Sequence, residues 1–262
     1  RAAVSFGGDD LSGIFSDHRI LIIHCGGDSK RIPQYSAIGK IFATFPNRLP
    51  SGRTSTLFDE WLMALCGWAD RLPAGMLAVS GDVLITLDPC QLDFSQADLT
   101  GVACAAPWRQ AIHHGVFVTD DAGEITAFLQ KPSEAELRAA GGITEEATAL
   151  IDTGVMALSP RLSAAFAAMG GANVSGGPVT LSPEGLLRDP QTRGIQIDLY
   201  DDIACRLAPN YQAPGYIEGP NPARTRVRQR LVELLGGYTF AASVADPAHF
   251  LHMGTTQQFR DA

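Results

Sequence analysis

Residues 19–40 read RILIIHCGGDSKRIPQYSAIGK, and the fold expected for the whole chain follows from their order. Arg19 to His24 is a continuous apolar run bounded by polar ends, the pattern of a strand buried on both faces of a parallel sheet. The run breaks at Cys25 into a stretch that holds Gly26, Gly27, Pro33 and Gly39. Two adjacent glycines after a strand let backbone N–H groups approach a ligand closely. Arg31 and Lys40 follow at a reach that suits a triphosphate. The order GGxxxR…GK is neither the Walker pattern, which needs GxxxxGK[ST], nor GxGxxG, so P-loop and dinucleotide-binding readings lose ground.

Further along, apolar Leu57, Phe58, Trp61, Leu62, Leu65 and Trp68 recur at helical spacing and predict a helix over 56–72. Strands are expected over 76–79, ending in Ser80, Gly81 and Asp82, and over 102–106. A hairpin signal follows, 116–118 and 125–129 around Asp120-Asp121-Ala122-Gly123. Ser133 with Glu136 forms a capping box for a helix over 133–140. A strand over 150–158 carries Asp152, Thr153 and Gly154. Helices are expected over 160–169, 182–188, 200–207 and 222–235, the last with Asn221 as cap, Pro222 in its first turn and Gly236 as stop. Strands alternating with helices predict a layered α/β domain around a mostly parallel sheet. Residues 1–17, rich in Gly and Asp, read as a flexible tail or linker, and 18–262 as the catalytic domain.

A chain of 262 residues with 45% hydrophobic and 18% charged residues suits one large soluble domain or two small ones. The net charge of −8 and pI near 5.2 argue against nucleic acid or an anionic membrane as partner, since both ask for a basic face. An anionic substrate must then be met by a local cluster of cations. The five cysteines are dispersed without a CxxC pair, which predicts reduced, mostly buried thiols and a cytoplasmic setting. Of 20 basic residues only Lys30, Lys40 and Lys131 are lysine. In an arginine-rich chain the remaining lysines mark places where a compact ammonium cannot be replaced by a planar fork, or they are chance survivors.

Asp82 follows a strand at the carboxyl edge where open α/β sheets bind ligands. Two readings stand beside each other: a Mg²⁺ ligand, since that ion needs only one or two protein carboxylates, or a turn carboxylate capping the next segment. Lys131 ends a hairpin arm before Pro132 and is either a substrate cation or a solvated lysine. His113 and His114 could touch a sugar, but a pair of histidines in a turn before a strand reads more plainly as polar and exposed. Arg224, Arg226, Arg228 and Arg230 alternate and read as a solvated helix surface.

The stretch IIHCGGDSKRIPQYSAIGKIF (22–42) resembles the signature loop of the GDP-L-fucose pyrophosphorylases, including the pyrophosphorylase half of bifunctional fucokinase/pyrophosphorylases. Matching segments follow in family order: SGDVL (80–84), HGVFV (114–118), LQKP (129–132), LIDTGV (150–155), LYDDI (199–203) and FLHMGTTQQF (250–259). The resemblance implies a Rossmann-like nucleotidyltransferase fold, a mixed and mostly parallel sheet flanked by helices. It implies condensation of L-fucose 1-phosphate with GTP to GDP-L-fucose and pyrophosphate, with Mg²⁺ as cofactor. Carried over, Gly26, Gly27, Ser29, Arg31 and Gly81 contact the nucleotide, and Arg31 with Lys40 holds the triphosphate. Asp82 binds Mg²⁺. Gly115, Asp152 and Gly154 line the sugar, and Lys131 takes its phosphate.

One departure matters. Many relatives have an Asp metal ligand where this chain has His252, so either His252 coordinates or Mg²⁺ relies on Asp82 and phosphate oxygens. Imidazole is a poor Mg²⁺ partner, which favours Asp82 alone. Asp201 and Asp202 are further candidates, with helix capping as their plainer role. The alternatives within the class are mannose 1-phosphate with GTP or a UTP-linked sugar. Outside it stand a nucleotide-sugar-dependent glycosyltransferase, for which the expected Asp-x-Asp is missing from SGDVL, and a catalytically silent regulatory domain. Family members continue past GTTQQF into further domains, while this chain stops at Ala262.

Overall fold

The computed structural model describes residues 11–25, 32–174, 179–182, 186, 190–192 and 194–261. The chain begins with helix α1 (Leu11–Asp17) and strand β1 (Arg19–His24). A hairpin, β2 (Thr44–Arg48) and β3 (Thr54–Thr56), leads into α2 (Leu57–Trp68). Thr56 and Asp59 close a capping box at the start of α2, so the helix begins where the sequence turns from polar to apolar. Then come β4 (Gly75–Ser80), β5 (Val83–Leu87), β6 (Leu99–Pro107), α3 (Trp108–Ala111), and the hairpin β7 (Gly115–Thr119) with β8 (Ile125–Gln130). The first part of the chain closes with α4 (Glu134–Ala139), β9 (Thr148–Leu158) and α5 (Pro160–Met169). Short strands β10 (Ala172–Asn173) and β11 (Thr180–Leu181) precede a wide π-helical turn, Leu199–Ala204. Helices α6 (Cys205–Leu207), α7 (Ala213–Ile217) and α8 (Pro222–Leu234), strands β12 (Phe240–Ala245) and β13 (Ala248–His252), and α9 (Thr256–Asp261) complete it.

The sheet has seven strands in the order β1-β4-β9-β6-β12, with β7 also on β9 and β8 on β7. β1 pairs parallel with β4, and β12 with β6. β9 runs antiparallel to both β4 and β6, so the sheet is mixed, with most strands pointing one way. One face packs on α2, where Leu57, Trp61 and Leu65 meet Val79, Val102 and Val155. The other packs on α5, α6 and α8, where Leu162, Leu207 and Leu231 meet Leu99, Met156 and Phe128. This is the expected α/β layering.

β9 decides where the sheet opens. Gly101 faces Met156 and Ala103 faces Asp152, so Thr153, Gly154 and Val155 on β9 span only Val102 on β6. The extra residues form a bulge, the kind of irregularity that re-aims side chains beside a functional site. The Thr153 hydroxyl donates to the Val102 carbonyl at 2.8 Å and closes the interrupted ladder. On one side of the bulge β9 pairs with β4 through Val155 to Leu158. On the other it pairs with β7 through Leu150 and Ile151. A gap is left between the end of β4 and the start of β7.

Several expectations are corrected. Residues 11–17 are not a loose tail: they form α1, with Ile14 and Phe15 buried. β1 is not buried on both faces, because it is the last strand of the sheet's path, and Leu21 and Ile22 stay 39% and 42% exposed. Cys104 is buried, but Cys25, Cys66 and Cys90 are exposed, so most of the thiols are not interior. The helix expected over 182–188 falls mainly outside the described residues. The segment expected as a helix over 200–207 starts with the π turn, capped by Asp198, whose carboxylate accepts from the Tyr200 and Asp201 N–H groups. α8 has the expected Asn221 cap, and the glycine in left-handed backbone after it is Gly237, not Gly236. Among the described residues no helix is long and apolar enough to cross a membrane.

The α8 arginines are not a uniform solvated face. Arg224 donates to both oxygens of Asp202 at 3.0 Å, and Arg228 donates to Oδ1 at 2.8 Å. The Asp202 side chain is 1% exposed, so the carboxylate is a buried anchor holding α8 to the π turn. Removing the carboxylate takes away the acceptor shared by Arg224, Arg228 and the Asp198 N–H and frees α8 from the π turn. Asp202→Ala is therefore expected to lower the thermal midpoint strongly, while Arg226→Ala, whose partner is Gln191 at the surface, leaves it nearly unchanged. Equal melts for the two variants would refute the anchoring role.

Candidate active site

The gap between β4 and β7 is an open cleft of about 620 Å³. Asp82, Gly115, Lys131, Asp152, Gly154 and His252, each singled out from sequence, all line it. They come from the β4–β5 turn, the ends of β7, β8 and β13, and the β9 bulge. Lys40 joins them through Asp82. Gly26, Gly27, Ser29 and Arg31 lie outside the described residues.

Asp82 is the cleft's ionised carboxylate. Burial works against its charge, but His252, Lys40 and Ser80 outweigh it and hold the carboxyl well below the usual carboxylate range. Lys40 Nζ lies 3.1 Å from Oδ2, and the Ser80 hydroxyl donates to Oδ1 at 2.9 Å. His252 Nε2 lies 3.7 Å from Oδ2, so the ring faces the carboxylate. The Met253 N–H donates to the Asp82 carbonyl at 2.7 Å, and Lys40 reaches the Gly254 carbonyl at 3.4 Å. The turn after β4 and the segment after β13 are thus stitched together around one charge.

Asp152 is the opposite case. It is 6% exposed, Oδ2 accepts only from the Gly154 N–H at 3.2 Å, and Oδ1 is buried without a partner among the described residues. Burial pushes its carboxyl up to about 7, with the Gly154 bond opposing weakly. Gln130 Oε1 and Gln258 Oε1, also on cleft-lining residues, are buried acceptors without partners among the described residues as well. Buried acceptors are nearly always paired, so three in one cleft are an observation that asks for a ligand.

The glycines have local reasons to be glycine. Gly154 has φ 77°, and a Cβ there would fall 2.7 Å from Ser80 Cβ. A Cβ on Gly115 would fall 2.7 Å from the Phe128 ring and 3.2 Å from Asp152 Cβ. Gly81 donates its N–H to the His24 carbonyl at 3.0 Å, and a Cβ would lie 3.1 Å from Cys25 Cβ, so its smallness serves the packing of β4 against the end of β1.

Lys131 has φ 48°, a left-handed backbone that lysine rarely adopts, and its N–H donates to the His114 carbonyl at 2.9 Å. Strain of this kind persists only where surroundings over-determine it. His114 is not the plain surface residue expected. It packs edge-on against His252 and Phe250, at 5.4 and 5.1 Å between ring centroids. Burial first, then His252, His113 and Lys131, lower its pKa to about 4, so it is neutral near pH 7. Tyr200 also lines the cleft. Burial, with Asp152, Asp198 and Asp82 nearby, raises its hydroxyl far above its ordinary value and keeps it a donor. Sequence reasoning missed His114, Gln130, Tyr200 and Gln258 because nothing in a lone His, Gln or Tyr says which way it faces. Asp201 and Asp202 are not among the lining residues.

Cations beside an ionised carboxylate, in a cleft at the end of a parallel strand pair, define a ligand-binding site of the open α/β class. Within that class, the chain belongs to the fucose pyrophosphorylase domain family, whose model matches residues 12–261. A bifunctional fucokinase/GDP-fucose pyrophosphorylase of Arabidopsis thaliana is 27% identical over 261 residues, 94% of this chain and 23% of that protein. An L-fucokinase/L-fucose-1-P guanylyltransferase of Bacteroides fragilis is 32% identical over 155 residues, 54% of this chain and 15% of that protein. A fucose-1-phosphate guanylyltransferase of Mus musculus is 22% identical over 281 residues, 92% of this chain and 44% of that protein. The chain therefore spans less than half the length of these curated relatives.

The raised Asp152 pKa has a stability consequence of definite sign. Its folded value of about 7 lies above the ordinary 3.8, so between those pH values the unfolded chain has lost the proton and the folded chain keeps it. Stability therefore falls as pH rises through that window and levels off above it. Subtracting the Asp152→Asn denaturant midpoints from wild type, pH by pH, is expected to give a difference that grows more unfavourable to wild type from pH 4 to 7. A flat difference curve would mean that Asp152 ionises normally in the fold.

Proposed function

We propose that this domain transfers a guanylyl group from GTP to a sugar 1-phosphate, L-fucose 1-phosphate in the first instance, releasing pyrophosphate. The observation that carries the reading is the pairing, in one cleft, of the Lys131 ammonium with buried acceptors that lack partners among the described residues. A ligand that is anionic at one end and rich in hydroxyls at the other satisfies both. Membership of the fucose pyrophosphorylase family supports fucose as the sugar, and the relatives named fucose-1-phosphate guanylyltransferase support guanine as the base.

A phosphate oxygen of the sugar 1-phosphate attacks the α-phosphorus of GTP; the bond from that phosphorus to the bridging oxygen breaks, and pyrophosphate departs. A phosphate dianion is already a competent nucleophile, so the protein's part is positioning and charge neutralisation. Lys131, held by its strained backbone at the cleft, screens the attacking phosphate. Lys40, with Arg31 from the glycine-rich loop, neutralises the departing pyrophosphate. Asp152 receives sugar hydroxyls, with Gly115 and Gly154 leaving room for the ring.

Among the described residues no cluster of three or more His, Cys, Asp or Glu could hold a metal by itself. Asp82 fits Mg²⁺, an ion that takes one or two carboxylates and completes its shell with phosphate oxygens and water. Mg²⁺ held there by Asp82 would neutralise phosphate charge. His252, facing the carboxylate, orients Asp82 and is not needed as a ligand. The five free thiols suit a reducing, cytoplasmic setting.

The direct test measures pyrophosphate from each common NTP with a panel of sugar 1-phosphates, with and without Mg²⁺. GTP with β-L-fucose 1-phosphate is expected to be the best pair, and turnover confined to UTP or dTTP with glucose 1-phosphate would overturn the assignment. Asp82→Asn is expected to cost at least ~10²-fold in kcat, the scale of one preorganised charge stabiliser, and His252→Ala much less. Comparable losses would restore His252 as a ligand.

Lys131→Arg isolates ammonium shape from charge. Guanidinium is broader and built for bidentate contact, and a shift of about 1 Å at the nucleophile can cost ~10²-fold in rate. Most activity is expected to be lost with the melt unchanged, and KM for the sugar phosphate should rise more than KM for GTP. Near-wild-type kinetics would make Lys131 an ordinary surface lysine.

A further inference from the structure

Gln258 has no role in the mechanism above, yet its side-chain oxygen is one of the cleft's buried acceptors without a partner among the described residues. It sits on α9, whose start is fixed by the Thr255 hydroxyl accepting from the Gln258 N–H at 3.2 Å. The segment leading to it is tied to Asp82 through Met253 and to Lys40 through Gly254. At Gly254 a Cβ would lie 2.5 Å from His252 Cε1 and 3.4 Å from Gln258 Oε1, so the His252 ring and the Gln258 amide close together over the spot where a side chain is missing. Oε1 is buried, faces no donor among the described residues, and belongs to the cleft lining.

A buried amide oxygen left unpaired destabilises the fold, whereas a longer or shorter polar side chain at the surface of α9 would not. An amide oxygen also repels phosphate, so what it awaits is a hydrogen-bond donor. We propose that Gln258 is a specificity-determining residue that accepts a hydrogen bond from a ring hydroxyl of the bound substrate. This rests on the sugar-phosphate reading for the identity of the ligand. Both substrates carry ring hydroxyls, on the hexose and on the ribose, and the chemistry of recognition is the same for either. A site built to accept from a hydroxyl discriminates strongly against the analogue that lacks it, because the buried acceptor is then stranded.

The experiment is a binding cycle on the intact chain by titration calorimetry, independent of turnover. Wild type and Gln258→Met, similar in volume but without the acceptor, are each titrated with GTP, 2′,3′-dideoxy-GTP, β-L-fucose 1-phosphate and its monodeoxy analogues. The variant is expected to lose about 10-fold or more in affinity for one hydroxyl-bearing parent, and nothing for the analogue lacking that hydroxyl. The unchanged analogue also certifies that the variant is folded. Non-additivity in the hexose series places the contact on the sugar, and in the nucleotide series on the ribose; either supports the proposal. Unchanged affinity for both parents, or equal losses for parents and deoxy analogues, overturns it. If the cycle is non-additive but no pyrophosphate is ever released, the catalytic reading fails and the contact stands. Turnover with an additive cycle removes the contact and leaves the reaction.

Discussion

The site depends on the bulge in β9. A regular strand of that length would pair with β4 and β6 along its whole course and leave no opening between β4 and β7. Because three residues of β9 pass one residue of β6, the strand changes neighbour within its length, and the cleft is the space created by the change. The same irregularity turns Asp152 and Gly154 towards that space and uses Thr153 to mend the ladder behind them. Most of the other cleft residues sit in turns or near the ends of elements around the gap.

Three aspartates illustrate how environment, not residue type, decides what a carboxylate does. Asp202 is buried and doubly clamped by arginines, so its charge serves cohesion. Asp82 is half-buried among Lys40, Ser80 and His252, remains ionised, and faces the cleft as a fixed negative point. Asp152 is as buried as a core residue but has, among the described residues, one backbone N–H and no cation partner, and burial drives it towards the neutral acid. One cleft therefore holds two carboxyl groups shifted in opposite directions, one held charged and one driven towards neutrality.

Much of this was legible in the sequence, and the reasons are physical. Periodicity and caps gave α2, α4, α5 and α8 because amphipathic spacing and capping boxes are local. The alternation of strands and helices gave the layered sheet. The scarcity of lysine pointed to Lys30, Lys40 and Lys131; Lys131 lines the cleft, Lys40 is bound to Asp82, which lines it, and Lys30 lies outside the described residues. What stayed hidden was non-local. The apolar run of β1 looked interior, but strand order put it at an edge. Arg224 and Arg228 looked solvated because their partner lies far back in the sequence, on the π turn. His114 and Gln258 became visible only once β7, β13 and α9 were folded against one another.

The contact between Gly154 and Ser80 carries a consequence for how such domains diversify. The missing side chain on one strand is the space occupied by the other, so the two segments are one interlocking part made from distant stretches of the chain. Grafting 150–155 from a relative onto this scaffold would import a partner shaped for a different neighbour. The two segments are thus constrained to vary together, since bulk added at 154 must be given up at 80.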